Sequence, residues 1–151
     1  GDNISSEAVA AGFSNVCRLT GLAGRWMKVR ENPTVICDTG HNVGGWSYLA
    51  ERLSAYGDRL HMVIGFVNDK DVSGILKMMP DKARYYFVRP SVERGLDHNA
   101  LAAAASAAGK TGLTFGSVRD GYENALSQAK EGDIVFVGGS TFVVADLMAL
   151  I

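Results

Sequence analysis

From Val35 onward, short apolar runs alternate with segments of helical spacing, and this alternation constrains the fold more than any other feature. Val35 to Cys37, Leu60 to Val67, Ala83 to Val88, Leu113 to Phe115 and Ile134 to Val137 read as buried strands. After the first, Val43, Trp46, Leu49, Ala50 and Leu53 recur on one helical face, and Gly57 suits the helix end. After the second, Asp71 can cap a short helix holding Val72, Ile75, Leu76 and Met79, stopped by Pro80. After the third, Asp97 can cap an Ala-rich helix through Ala108, with Gly109 at its end. Ser117 and Asp120 have capping-box spacing ahead of Tyr122, Ala125, Leu126 and Ala129. Gly138-Gly139-Ser140-Thr141 turns into a last helix with Val144, Leu147 and Met148. The predicted fold is α/β: a three-layer, Rossmann-like domain, its mostly parallel sheet of about six strands covered by helices on both faces.

Upstream, Ser5 or Ser6 can cap a helix through about Leu19, with Val9, Phe13 and Val16 on one face. Arg25 to Arg30 reads as a further strand with Trp26 buried, and Glu31-Asn32-Pro33 as a turn. The 151 residues suit one domain with a real core. A net charge of -1 gives no electrostatic case for nucleic acid or an acidic membrane surface. No apolar run has the length of a spanning helix, and no signal peptide is read at Gly1-Asp2-Asn3. A first residue that is Gly rather than Met reads as a processed product or a fragment. Cys17 and Cys37 lack metal or redox spacing, which points to a reduced, cytoplasmic setting with Cys37 buried in a strand.

The candidate chemistry collects at strand ends. Thr34 to Gly45 runs from an apolar strand into a helix, passing Asp38, His41 and Asn42. In open α/β sheets ligands lie at the carboxyl ends of strands, and helix N-termini favour anions. Helix capping uses the same positions, so the residues alone leave both readings open. Asn68-Asp69-Lys70-Asp71 places Lys70 after the next strand, as a point charge for a carboxylate or phosphate or as part of a solvated turn. Gly138-Gly139 permits close backbone approach, and Ser140 either caps a helix or meets a ligand. Arg25 is a surface arginine or a polyphosphate contact. His61 and His98 read as structural or exposed, and no protein-only metal site is read, His41 with Asp38 lacking a zinc set.

Ala104 to Thr111 fits a relaxed phosphate-loop pattern. A phosphate loop needs a strand before it and a helix after it, and here the order is reversed. Gly109 then reads as a helix stop and Lys110 as a cation suited to a helix C-terminus.

Gly24-Arg25-Trp26, Asp38-Thr39-Gly40-His41-Asn42, Asp69-Lys70-Asp71 and Gly139-Ser140, in that order, resemble the C-terminal domain of folylpolyglutamate synthase/dihydrofolate synthase, of the Mur ligase superfamily. The resemblance runs from about Ile4 to Ile151. Two positions depart from the family pattern: Val43 stands where Pro is common, and Gly138 stands where Thr is frequent. The resemblance implies an ATP-dependent amide ligase. In the family a phosphoryl group passes from ATP to a folate or pteroate carboxylate, and the amine of L-glutamate attacks the acyl phosphate.

The same resemblance implies roles residue by residue. Arg25 is similar to the arginine at the terminal phosphates, Asp38 to the carboxylate on the ribose, and Asn42 to a nucleotide contact. His41 is implied as the catalytic-site group that binds or orients. Lys70 and Ser140 resemble glutamate-carboxylate contacts. ATP and Mg2+ are the implied cofactors, the metal held mainly by an N-terminal ATPase domain. That domain would be the partner of this chain, with residues 1–20 as an interdomain linker helix and 21–151 as the C-terminal domain. Alone, the chain is expected to be inactive. Rival readings are another Mur-type ligase acting on muramyl peptides, a non-catalytic nucleotide-binding module, and an interaction domain whose strand ends are only caps.

Overall fold

The computed structural model describes residues 26–38, 43–68 and 72–151. The helix expected before Leu19, Cys17 and the Asp71 cap lie outside the described residues. The elements run β1 (Met27–Arg30), β2 (Thr34–Asp38), α1 (Val43–Ser54), β3 (Leu60–Ile64), α2 (Val72–Met78), β4 (Arg84–Val88), α3 (His98–Ala107), β5 (Gly112–Phe115), α4 (Val118–Gln128), β6 (Ile134–Gly138) and α5 (Thr141–Met148). The strands form one six-stranded sheet in the order β1-β2-β6-β3-β4-β5. Among the described strands only β1 is antiparallel to its neighbour, β2.

The alternation of side chains across the strands divides the core in two. Ile36, Met62, Ile64, Tyr85, Phe87, Ile134 and Phe136 face Trp46, Leu49 and Leu53 of α1, Ile75 and Leu76 of α2, and Leu101 of α3. Their sequence neighbours Val35, Cys37, Val63, Tyr86, Val88, Val135 and Val137 face Val118, Tyr122 and Ala125 of α4 and Val143, Val144 and Leu147 of α5. Residues of period two thus serve both layers, as a sheet covered on both sides requires. The three crossovers from β2 through β5 use the α1–α3 face. The return from β5 to β6, which inserts between β2 and β3, uses the other.

Local chemistry sets the helix ends. The Asp97 carboxylate accepts from the backbone N–H groups of Asn99 and Ala100 at 3.0 and 3.2 Å. The Ser117 hydroxyl accepts from Asp120 N–H at 3.1 Å. At the end of α3, Gly109 (φ 83°) donates to Ser106 at 3.0 Å and Lys110 to Ala105 at 2.8 Å. This paired arrangement is a Schellman stop, so the apparent phosphate-loop pattern is a helix terminus. The Lys110 ammonium is buried. It lies 3.2 Å from Asp81 and 3.4 Å from the Ala108 carbonyl, near the helix carbonyls that attract cations.

Two strand limits differ from the sequence reading. The apolar run from Leu60 stops being a strand at Ile64, although Phe66 and Val67 are buried. Val67 instead bridges Gly95 in the loop after β4. β1 begins at Met27, so Trp26, expected within the strand, lies just before it.

His61 is structural. It is 1% exposed, and its Nε2 lies 2.8 Å from the Asp133 carboxylate while Nδ1 lies 2.8 Å from the Tyr86 hydroxyl. A carboxylate only accepts, so Nε2–H donates to Asp133 and Tyr86 O–H donates to Nδ1. Burial alone would raise the Asp133 carboxyl, but the Lys130 backbone N–H and the His61 ring outweigh it and hold it below its ordinary value. This chain of bonds ties β3, β4 and the approach to β6 at the end of the sheet opposite the strand-end motifs.

Candidate functional site at the carboxyl ends of β2, β6 and β3

Where neighbouring parallel strands send their following helices to opposite faces, the sheet opens a crevice at its carboxyl edge. Here β2 leads to α1 on one face, while adjacent β6 leads to α5 on the other. Asp38 closes β2 and pairs in register with Gly138, which also pairs with Ile64 of β3. Gly65 N–H continues the edge by donating to the Gly138 carbonyl at 3.2 Å.

Antiparallel β1 serves the same edge. Met27 is paired with Cys37, so β1 starts where the parallel strands finish. Trp26 packs on the Phe136 ring at 6.5 Å, and the Arg52 guanidinium sits 3.8 Å over its indole. Among the expected site residues, Arg25 immediately precedes this Trp. Arg25, His41, Asn42 and Lys70 lie outside the described residues; Asp38 and Ser140 are described, and the fold brings their strand ends together.

Asp38 is 2% exposed. Burial, with the Asp38 carboxylate beside it, pushes the Cys37 thiol up to about 12. Cys37 is therefore a buried strand residue rather than a nucleophile. Ser140 is also 2% exposed, and its hydroxyl accepts from the Phe142 N–H at 3.1 Å as the N-cap of α5. Capping occupies a lone pair of the oxygen, while the O–H is the group that can donate to a carboxylate.

The glycines of this edge leave no room for side chains. A Cβ at Gly138 would lie 2.8 Å from both the Asp38 carbonyl and the Phe136 ring. The Phe136 ring thus fills the space a side chain at 138 would need, which gives a packing reason for Gly138 in this sequence. Gly139 has φ 101°, and a Cβ there would lie 2.5 Å from the Gly65 carbonyl. Sequence reasoning singled out Gly138 and Gly139 but missed Gly65, Phe66 and Gly95, which shape the same edge. A glycine closing a buried apolar run was the available signal for Gly65.

Among the described residues no cluster of three or more His, Cys, Asp or Glu side chains could hold a metal ion. Nor is any helix among them long and apolar enough to cross a membrane.

The Mur ligase, glutamate ligase domain family matches residues 24–141, most of the described sheet. The chain belongs to this family. Over its full length it is 30% identical to the dihydrofolate synthase/folylpolyglutamate synthase of Escherichia coli K12, of which it covers 35%. A crystal structure of a bifunctional folylpolyglutamate synthase/dihydrofolate synthase with Mn, AMPPNP and L-glutamate bound superposes with a TM-score of 0.75 at 29% identity, over 84% of this chain and 31% of that one. Escherichia coli FolC in complex with DHPP and ADP gives 0.74 at 34% identity, over 85% and 31%. The chain therefore spans about a third of the length of these Mur ligase relatives.

Proposed function

We propose that this chain is the C-terminal part of an ATP-dependent ligase that joins L-glutamate to a folate or dihydropteroate carboxylate. The observation carrying the proposal is the pairing of Asp38 with the Gly138-Gly139-Ser140 turn at the crevice edge of a glutamate ligase domain. The solved relative with AMPPNP and L-glutamate bound supports these ligand classes for the enzyme.

Asp38, a buried carboxylate that only accepts, suits the hydroxyls of a ribose. Arg25 would meet the terminal phosphates and Asn42 the nucleotide. His41 would orient the reacting groups. Lys70 and the Ser140 O–H would hold the α-carboxylate of glutamate, so that its amine faces the activated acid. Such placement is most of what phosphoryl and acyl transfer ask of a protein. The magnesium ion would be held mainly by the remainder of the enzyme, its N-terminal ATPase domain. In that arrangement residues 1–20 link the two domains, residues 21–151 close the active site, and the chain alone has no ligase activity. The enzyme would work in the cytoplasm, where a buried thiol such as Cys37 stays reduced.

The test is ADP release by the full-length parent with ATP, magnesium, glutamate and either dihydropteroate or a reduced folate. Release that needs both glutamate and one pterin acceptor is expected. Release only with a muramyl-peptide acceptor would overturn the folate assignment within the Mur ligase family.

A further inference from the structure

Four contacts between distant segments close a ring around the β6–α5 turn. Asp146, on the outer side of α5, accepts from Ser91 twice, from the backbone N–H at 2.8 Å and from the hydroxyl at 2.6 Å. Ser91 opens the loop after β4. Further along that loop, Leu96 N–H donates to the Phe66 carbonyl at 2.8 Å, and Asn68 N–H donates to the Arg94 carbonyl at 2.8 Å. The loop has no slack at Gly95, where a Cβ would lie 2.6 Å from the Pro90 carbonyl. The held segment is the stretch just past β3, from Phe66 to Asn68. There the Phe66 ring lies 3.1 Å from the place of a Gly139 Cβ, directly beside Ser140. Ser140 in turn caps α5, the helix that carries Asp146.

We propose that Asp146 is a positioning residue for the ligase reaction: through Ser91 it clamps the β4–α3 loop, which holds the segment after β3, with Phe66, against the Gly139-Ser140 turn and so fixes the Ser140 hydroxyl toward the glutamate carboxylate. The role rests on the reading of Ser140 as a glutamate contact. Asp146 lies six residues beyond Ser140 in the helix, and it acts through the loop rather than on substrate. A carboxylate suits the clamp because two donors converge on it, and each oxygen takes one. Asparagine can accept at only one of the two positions.

The experiment uses the full-length parent with Asp146→Ala, Asp146→Asn, Ser140→Ala and the Asp146→Ala/Ser140→Ala double variant. Amide exchange at Asn68 and Leu96 reads the clamp directly. In Asp146→Ala it should quicken by about tenfold or more, with the strand amides unchanged. The KM for glutamate should rise about fivefold or more, with the KM for ATP within about twofold, because only the placement of one substrate is loosened. Asp146→Asn should fall between, and the double variant should be no worse for glutamate than Ser140→Ala. Unchanged exchange at both amides overturns the clamp and leaves the Ser140 assignment intact. Faster exchange with an unchanged glutamate KM, or losses that add in the double variant, overturns the positioning role. An unchanged glutamate KM in Ser140→Ala overturns the Ser140 assignment and the role built on it, while the exchange data still read the clamp independently.

Discussion

Trp46→Ala is expected to destabilise the 151-residue chain by about 3–5 kcal/mol, the range for deleting a large aromatic side chain from a core. Trp46 is fully buried in α1. Its indole meets the Phe136 ring edge-on at 5.8 Å and the Phe66 ring at 6.5 Å. Both neighbours are fully buried, Phe136 in the central strand and Phe66 where β3 meets the site edge, so the surroundings have little freedom to close the cavity. Trp46 Nε1 has no hydrogen-bond partner among the described residues. Leaving a buried donor unpaired costs about 1–3 kcal/mol, so Trp46→Phe should lose far less than Trp46→Ala. Urea denaturation of the three chains measures this as a shift in midpoint at constant slope. A loss below about 1 kcal/mol for Trp46→Ala would contradict the packing described.

The second large effect is expected at the site edge. Gly139 and Gly132 have similar positive φ, 101° and 87°. A Cβ at Gly132 would meet nothing within 4 Å, whereas one at Gly139 would lie 2.5 Å from the Gly65 carbonyl. Gly132→Ala therefore reports backbone strain alone, about 1 kcal/mol. Gly139→Ala adds the displacement of β3 from β6, for a total of about 2–4 kcal/mol. Denaturation of both variants isolates the steric part. Equal losses would mean that the two strand ends are not in the close contact described.

Most of the helical and strand content was legible in the sequence because it is encoded locally. Trp46, Leu49 and Leu53 share a face by spacing alone, and Asp97, Ser117 and Gly109 end helices through bonds a few residues long. Strand order was not legible. Nothing local says that β6 inserts between β2 and β3, or that β1 is antiparallel, since these depend on partners far away in sequence. The His61–Asp133 pair spans 72 positions and the Ser91–Asp146 pair 55, and neither leaves a local pattern. The end of β3 was misjudged because burial and strand pairing part company there. Phe66 and Val67 are buried like strand residues but serve the β4–α3 loop. At the site, position was legible and role was not. A strand-end carboxylate and a glycine-flanked serine mark a crevice, but capping and ligand binding make the same demands on them. The choice of ligand came from the family pattern, and four of its six residues lie outside the described structure.

The central claim is that the β2–β6 edge holds the nucleotide. It is tested most directly by steady-state ADP release from the full-length parent carrying Asp38→Asn, beside His41→Ala. A charge-assisted hydrogen bond contributes about 1.5–3 kcal/mol, so removing the Asp38 charge should raise the KM for ATP by about 10- to 100-fold. His41→Ala should lower kcat more than it raises that KM, as expected for an orienting group. An unchanged KM for ATP in a folded Asp38→Asn enzyme would contradict the claim and leave Asp38 as a buried strand end and nothing more.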